Sequence, residues 1–280
     1  MKKILLSHSR IYSGSLILVN SKYSFSQHAP DVLTSVGRQK DILMERQAAV
    51  LLDKLMSEIN GWDFIVPVSG YRPFEEQQKI WDDTVKTDGI EFARKYVAYP
   101  GHSEHQTGLA IDLGLKQEKI DFICPEFPYH GICQKFRELA ADYGFIERYP
   151  SEKEAVTGIG HEPWHFRYVG VPHAKIIKQN ALTLEEYMDF IKVHTYNANP
   201  YIISIGNRSV HISYLNADNI SRTILNINEN CPYSISGNNS DGFIITEWRQ
   251  LHENQTDTDN RLRARTDEEY LTDSHKKRRA

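Results

Sequence analysis

Between residues 41 and 60, apolar side chains fall at Ile42, Val50, Leu51, Leu55, Met56 and Ile59. This spacing predicts one amphipathic helix, with Asp41 placed to cap its start and Gly61 its end. Shorter apolar runs at 15–20 and 64–68 read as strands, with loop from 21 to 40 between the first of them and the helix. The second run leads into SGYRPFEEQQKIW, where Pro73 suits a helical first turn and Glu75 and Glu76 suit its positive end. A helix is expected at 90–97. The segment GHSEHQTGLAIDLGL then passes from loop into strand, and 130–142 carry an amphipathic helix that stops at Gly144. Short strands follow at 145–149 and 164–169, then helices near 172–180 and 183–194. The mixture predicts an α+β fold, a small, central, mostly antiparallel sheet flanked by helices.

Beyond residue 196 the texture changes. Asparagines punctuate short β-like runs at 202–205, 210–215, 223–227 and 243–248, and GNNSDG makes a good hairpin loop. The pattern divides the chain into a main domain over 1–195, a small β-rich appendage over 196–250 and a disordered polar tail over 251–280, where aliphatic residues nearly vanish.

Composition narrows the class without naming the chemistry. With 280 residues, 40% hydrophobic and 25% charged, the chain can bury a good-sized core. A formal net charge of −4 gives no electrostatic footprint for nucleic acid or an anionic membrane surface. Three cysteines, with no C-x-x-C spacing, fit a reducing compartment better than a disulfide framework. The start, MKKILLSHSR, has only Ile4, Leu5 and Leu6 after its lysines, whereas a signal peptide needs about 7–15 apolar residues. No stretch approaches the ~18–20 apolar residues of a membrane span. These features predict a cytoplasmic protein with neither nucleic acid nor membrane as partner, and they leave its oligomeric state open.

The chemistry concentrates in two short segments. Residues 158–170 read GIGHEPWHFRYVG, which contains the letters H-E-x-x-H of the helical zinc metalloproteases. Those enzymes need a helix to stack positions i and i+4. Pro163 would break that helix, and the aromatic and β-branched residues after it favour a strand. In an extended chain His161 and His165 stand roughly 13 Å apart at about 3.3 Å per residue, too far to share one zinc. If His165 is a ligand, its partners come from elsewhere.

The second segment supplies them. In SEHQTGLAID, alternation puts Leu109, Ile111 and Leu113 on one strand face and Gly108, Ala110 and Asp112 on the other. A carboxylate in mid-strand beside two of the smallest residues asks for something that binds it. His105, in the loop entering the strand, can fold back toward Asp112, and His165 adds a third ligand. Three protein ligands with an open position form the catalytic zinc pattern. Glu162, turned by Pro163, can sit beside the metal as general base. Arg72, at the end of a strand in SGYRP, is the candidate cation for a developing oxyanion.

Together S-x-H-x-x-G-x-A-x-D at 103–112, E-P-W-H at 162–165 and S-G-Y-R at 69–72 resemble the zinc D,D-peptidases of the VanX/VanY type, whose clan includes the hedgehog signalling domain. Within that group the likeness is to the bifunctional VanXY type. The resemblance covers about residues 15–195. It implies one Zn2+ per chain on His105, Asp112 and His165, Glu162 as base and Arg72 at the transition state, with Ser103, Gln77 and Trp164 lining the substrate pocket. It also implies hydrolysis of D-Ala-D-Ala and of the pentapeptide precursor that ends in it, in glycopeptide (vancomycin) resistance. The alternatives are an L-Ala-D-Glu endopeptidase of the endolysin type and a zinc-binding interaction module without catalysis.

Overall fold

A sheet of four antiparallel strands carries Asp112, Glu162, Trp164 and His165, and the computed structural model, which describes residues 2–25, 30, 32–217 and 222–250, shows how the rest of the chain braces it. In chain order the elements are β1 (Lys2–Ser7), β2 (Leu33–Val36), β3 (Gln39–Glu45), α1 (Arg46–Glu58), β4 (Ile65–Ser69), α2 (Phe74–Thr87), α3 (Ile90–Tyr96), β5 (Ala110–Leu115), α4 (Gly131–Ala140), β6 (Phe145–Tyr149), α5 (Glu154–Thr157), β7 (Glu162–Tyr168), α6 (Val171–Gln179) and α7 (Leu184–Lys192). Five strands follow: β8 (Tyr201–Ile205), β9 (Arg208–Asn216), β10 (Arg222–Ile227), β11 (Tyr233–Gly237) and β12 (Gly242–Gln250). The central sheet has the order β4-β5-β7-β6, antiparallel throughout. One of its faces packs on Leu52, Leu55 and Met56 of α1 and Phe136 of α4, through Ile111 and Leu113 of β5 and Phe166 of β7. Burying each such side chain contributes about 1.5–3 kcal/mol. The fold is the predicted α+β arrangement with β strands at the C-terminus.

Three local expectations are corrected. The run at 15–20 is not a strand, although Leu16, Ile17, Leu18 and Val19 are all buried. Most of its backbone bonds go to side chains instead of a ladder: Leu16 N–H donates to Ser236 Oγ, Leu18 C=O accepts from Asn239 Nδ2, and Ser15 and Ile17 C=O accept from Arg167, while Leu18 N–H donates to Asn238 C=O. The helix expected from Asp41 starts at Arg46, because Gln39–Glu45 pairs with Leu33–Val36 in a hairpin inside the supposed loop. Glu45, not Asp41, caps it, accepting from the N–H groups of Gln47 and Ala48. Finally, Lys2–Ser7 forms a strand that no local pattern announced, and it pairs with β10 across the chain.

Four of the five strands after residue 196 form a second sheet, β11-β12-β9-β8, while β10 pairs with β1, and GNNSDG joins β11 to β12 as predicted. This sheet shares a core with the preceding helices: Val210, Ile212 and Ile244 pack with Ile176, Ile177 and Tyr187, and with Leu16 and Leu18 from near the N-terminus. The tail expected to be disordered, 251–280, lies outside the described residues.

Candidate active site

Register brings the first two site residues together. On β5 and β7, Asp112 and His165 are direct cross-strand partners, so both side chains leave the same face of the sheet. His105 arrives from a single 3₁₀ turn, Glu104–Thr107, that ends at Gly108. Only glycine suits that position, for Gly108 has φ +69° and an added Cβ would sit 3.1 Å from Glu45 N. Gly70 is needed for a different reason. Its Cβ would lie 2.2 Å from Leu43 O, and this close approach seats the loop that carries Arg72.

One ligand atom each from His105, Asp112 and His165 lie within 4.8 Å of one another, all three residues buried. His105 Nε2 is 3.1 Å from Asp112 Oδ2, and His165 Nδ1 is 2.9 Å from Asp112 Oδ1. Donors around a tetrahedral zinc with bonds near 2 Å stand about 3.3 Å apart, so the spacing fits. The outer nitrogens decide the protonation. His105 Nδ1 lies 2.6 Å from Gly70 C=O and His165 Nε2 lies 3.4 Å from the Glu104 carboxylate. Each outer nitrogen faces an acceptor that favours the ring proton there, the tautomer in which the inner nitrogens present lone pairs beside Asp112. In that tautomer the three inward groups are all acceptors, an arrangement that a bound cation satisfies. The donor set therefore fits zinc.

Two further groups face this cluster. Glu162 Oε2 is 3.7 Å from His165 Nδ1, yet Glu162 is outside the three-residue donor group. Burial pushes its carboxyl up to about 8, against the opposing pull of His165. Arg72 Nη2 lies 3.6 Å from Asp112 Oδ2, and its Nε has no partner among the described residues. Gln77, buried on α2, donates from Nε2 to Ala98 C=O at 2.7 Å and leaves Oε1 without a partner. Arg72 and Gln77 line one pocket, and each keeps a buried polar atom with no partner among the described residues.

That pocket is also lined by Ser103 and Trp164, so all eight residues singled out in the sequence meet in it. Trp164 belongs to the hydrophobic core as well as to the pocket wall. His161 does not join. It stacks on Tyr129, with Nε2 2.8 Å from the Tyr129 hydroxyl, and the chain around it is extended as Pro163 requires. Sequence reasoning missed the pocket walls at Tyr96, Phe122 and Tyr149, for which no spacing gave a signal. It also missed Glu104. A signal existed there: Arg148 and Arg167 each stand next to an aromatic residue in a strand-like segment, and buried arginines call for a buried acid.

The sequence profile of VanY, D-alanyl-D-alanine carboxypeptidase, matches residues 41–171. The bifunctional D-Ala-D-Ala dipeptidase and D-Ala-D-Ala carboxypeptidase VanXYC of Enterococcus gallinarum is 39% identical over 181 residues, 64% of this chain and 95% of that protein. The chain belongs to the VanY D,D-peptidase family. Among solved structures, the vancomycin resistance D,D-dipeptidase VanXYg in complex with a D-Ala-D-Ala phosphinate analog is 50% identical, with a TM-score of 0.87. That match covers 89% of this chain and 99% of the other, so it takes in strands beyond the catalytic segment. A point mutant of the vancomycin resistance D,D-pentapeptidase VanY from the VanB-type cassette, solved in complex with Zn(II), is 32% identical with a TM-score of 0.51, over 62% of this chain and 98% of that one. Family membership makes the chain a peptidase, and the zinc-bearing relative agrees with the donor set described above.

Proposed function

We propose that this peptidase holds one zinc on His105, Asp112 and His165 and hydrolyses D-Ala-D-Ala both as the free dipeptide and at the end of the pentapeptide precursor, in glycopeptide resistance. The observation that carries the reading is the juxtaposition, in one buried pocket, of the donor set with Glu162 and Arg72. Zinc, when bound, supplies Lewis acidity that lowers the pKa of a water and polarises a carbonyl. The chain's residues do the rest. Glu162 takes a proton from the attacking water and returns it to the leaving amine, a task suited to a carboxyl that lies beside the donor set without belonging to it. Arg72 offers its guanidinium to the oxyanion that develops on the scissile carbonyl. Gln77 Oε1 is available to accept from a substrate N–H, and Ser103 and Trp164 bound the space around the terminal residue.

The cytoplasm is the compartment proposed. Cys124, Cys133 and Cys231 are all free thiols, and no described helix is long and apolar enough to cross a membrane. The test of the reaction is release of D-alanine from D-Ala-D-Ala by the purified chain. Activity should disappear on treatment with a chelator and return with about one equivalent of zinc. Cleavage of an L-Ala-D-Glu bond in muropeptides, with the dipeptide untouched, would replace this reading with the endopeptidase. Tight zinc binding with no turnover on either would leave only a binding module.

A further inference from the structure

Outside the residues assigned to chemistry, the most unusual feature is a chain of buried charges behind His165. Glu104 has a fully buried side chain and accepts at one oxygen from Arg148 Nε (2.9 Å) and Arg167 Nη1 (2.8 Å). Both arginine side chains are fully buried too. The other Glu104 oxygen faces His165 Nε2 at 3.4 Å. Arg148 is held in turn by Glu185 of α7 through two bonds, 2.9 Å and 2.6 Å, and Asn20 Nδ2 donates to that same Glu185 at 3.1 Å. Arg167 is fixed by the carbonyls of Ser15 (3.1 Å) and Ile17 (2.9 Å). Glu185, Asn20, Ser15 and Ile17 all lie outside residues 41–171, the part that matches the family profile.

Such a network is costly to bury and contributes little net stability compared with an apolar core. Its polar contact with the donor set is to the outer nitrogen of a zinc ligand, His165 Nε2. We propose that Glu104 is a positioning residue for His165, fixing its Nε2–H tautomer and ring orientation so that Nδ1 faces the metal, and that α7 and residues 15–20 serve the site by holding the two arginines that aim Glu104. The inference rests on the ligand role proposed for His165. It assigns the elements flanking the catalytic segment a part in metal binding. It also accounts for the fold of the 15–20 segment, whose carbonyls are spent on Arg167 and not on a ladder.

Isosteric replacement tests it. In Glu104→Gln, the amide oxygen takes the place facing the two arginines and the NH2 faces His165 Nε2. Two donors then meet, the favoured tautomer moves the ring proton to Nδ1, and the lone pair aimed at the metal is lost. Zinc affinity, measured by competition with a chromophoric chelator, should weaken by about 10–100-fold, the range for losing an outer-shell partner. The visible absorption of the cobalt-substituted protein should shift as well. Glu104→Asp keeps the charge that compensates the arginines but withdraws the carboxylate from Nε2, so it should fold and still bind zinc more weakly than wild type. A merely structural role would lower the melting temperature of the metal-free variants and leave zinc affinity alone. Affinity within about twofold of wild type in folded Glu104→Asp, or in folded Glu104→Gln, would overturn the proposal while leaving the zinc peptidase reading intact. A wild-type chain that binds no zinc would overturn both.

Discussion

Glu162→Ala is expected to lower hydrolysis of D-Ala-D-Ala by about 10²–10⁴-fold, the range for losing general acid–base help, while zinc stays near one equivalent. The two halves of this expectation come from separate observations. Glu162 is buried, and burial raises its carboxyl above the usual carboxylate range, so it binds a proton more readily than an exposed glutamate. It is also 3.7 Å from His165 Nδ1 and outside the donor group, so its removal takes no ligand from the metal. Metal content by atomic absorption and turnover by chromatography of released D-alanine check both halves. Loss of zinc from the variant would mean that the ligand set is misassigned.

The second large effect concerns Arg72. Replacement by alanine should reduce kcat by about 10²–10³-fold, as for removal of a donor to a developing oxyanion, with KM changed much less. The motive is its position: Arg72 lines the pocket and its guanidinium reaches the edge of the donor set, 3.6 Å from Asp112. A group that binds ground state and transition state alike would raise KM and spare kcat. That outcome would make Arg72 a clamp on the substrate carboxylate instead.

Much of this site was legible in the sequence because its chemistry is packed into short segments with strong local constraints. Pro163 alone decides between the helical metalloprotease pattern and a strand, and β7 runs extended through it. The alternation after Gly108 separated the core face from the face bearing Asp112, and Leu109, Ile111 and Leu113 do lie in the main core. What escaped was non-local. Lys2–Ser7 finds its partner at Arg222–Ile227, a pairing no window of the sequence contains. The buried run at 15–20 has the composition of a strand, but its carbonyls are claimed by Arg167 and Asn239. Asp41 looked like a cap because the hydrophobic stripe was followed one strand too far upstream, and Glu45 takes that part. Glu104 sits inside a motif that was read for its ligands, so its own burial against two arginines from distant strands was invisible until the sheet was assembled.

The central claim is that one site serves both a free dipeptide and a long precursor. Dual use requires a pocket that grips the terminal D-Ala and stays open on the amine side, so that an ammonium or an extended peptide can pass. The likeness to VanXYC, a bifunctional dipeptidase and carboxypeptidase, and to VanXYg supports that reading. In resistance the enzyme would also spare D-Ser termini, since an added hydroxymethyl can clash in a tight terminal pocket. The decisive measurement is a side-by-side assay of the purified zinc enzyme on D-Ala-D-Ala, the nucleotide-linked pentapeptide and D-Ala-D-Ser, following released amino acid by liquid chromatography. Hydrolysis of the first two, with D-Ala-D-Ser cut much more slowly, is the predicted result; turnover of the dipeptide alone, or equal rates on D-Ala-D-Ser, would contradict it.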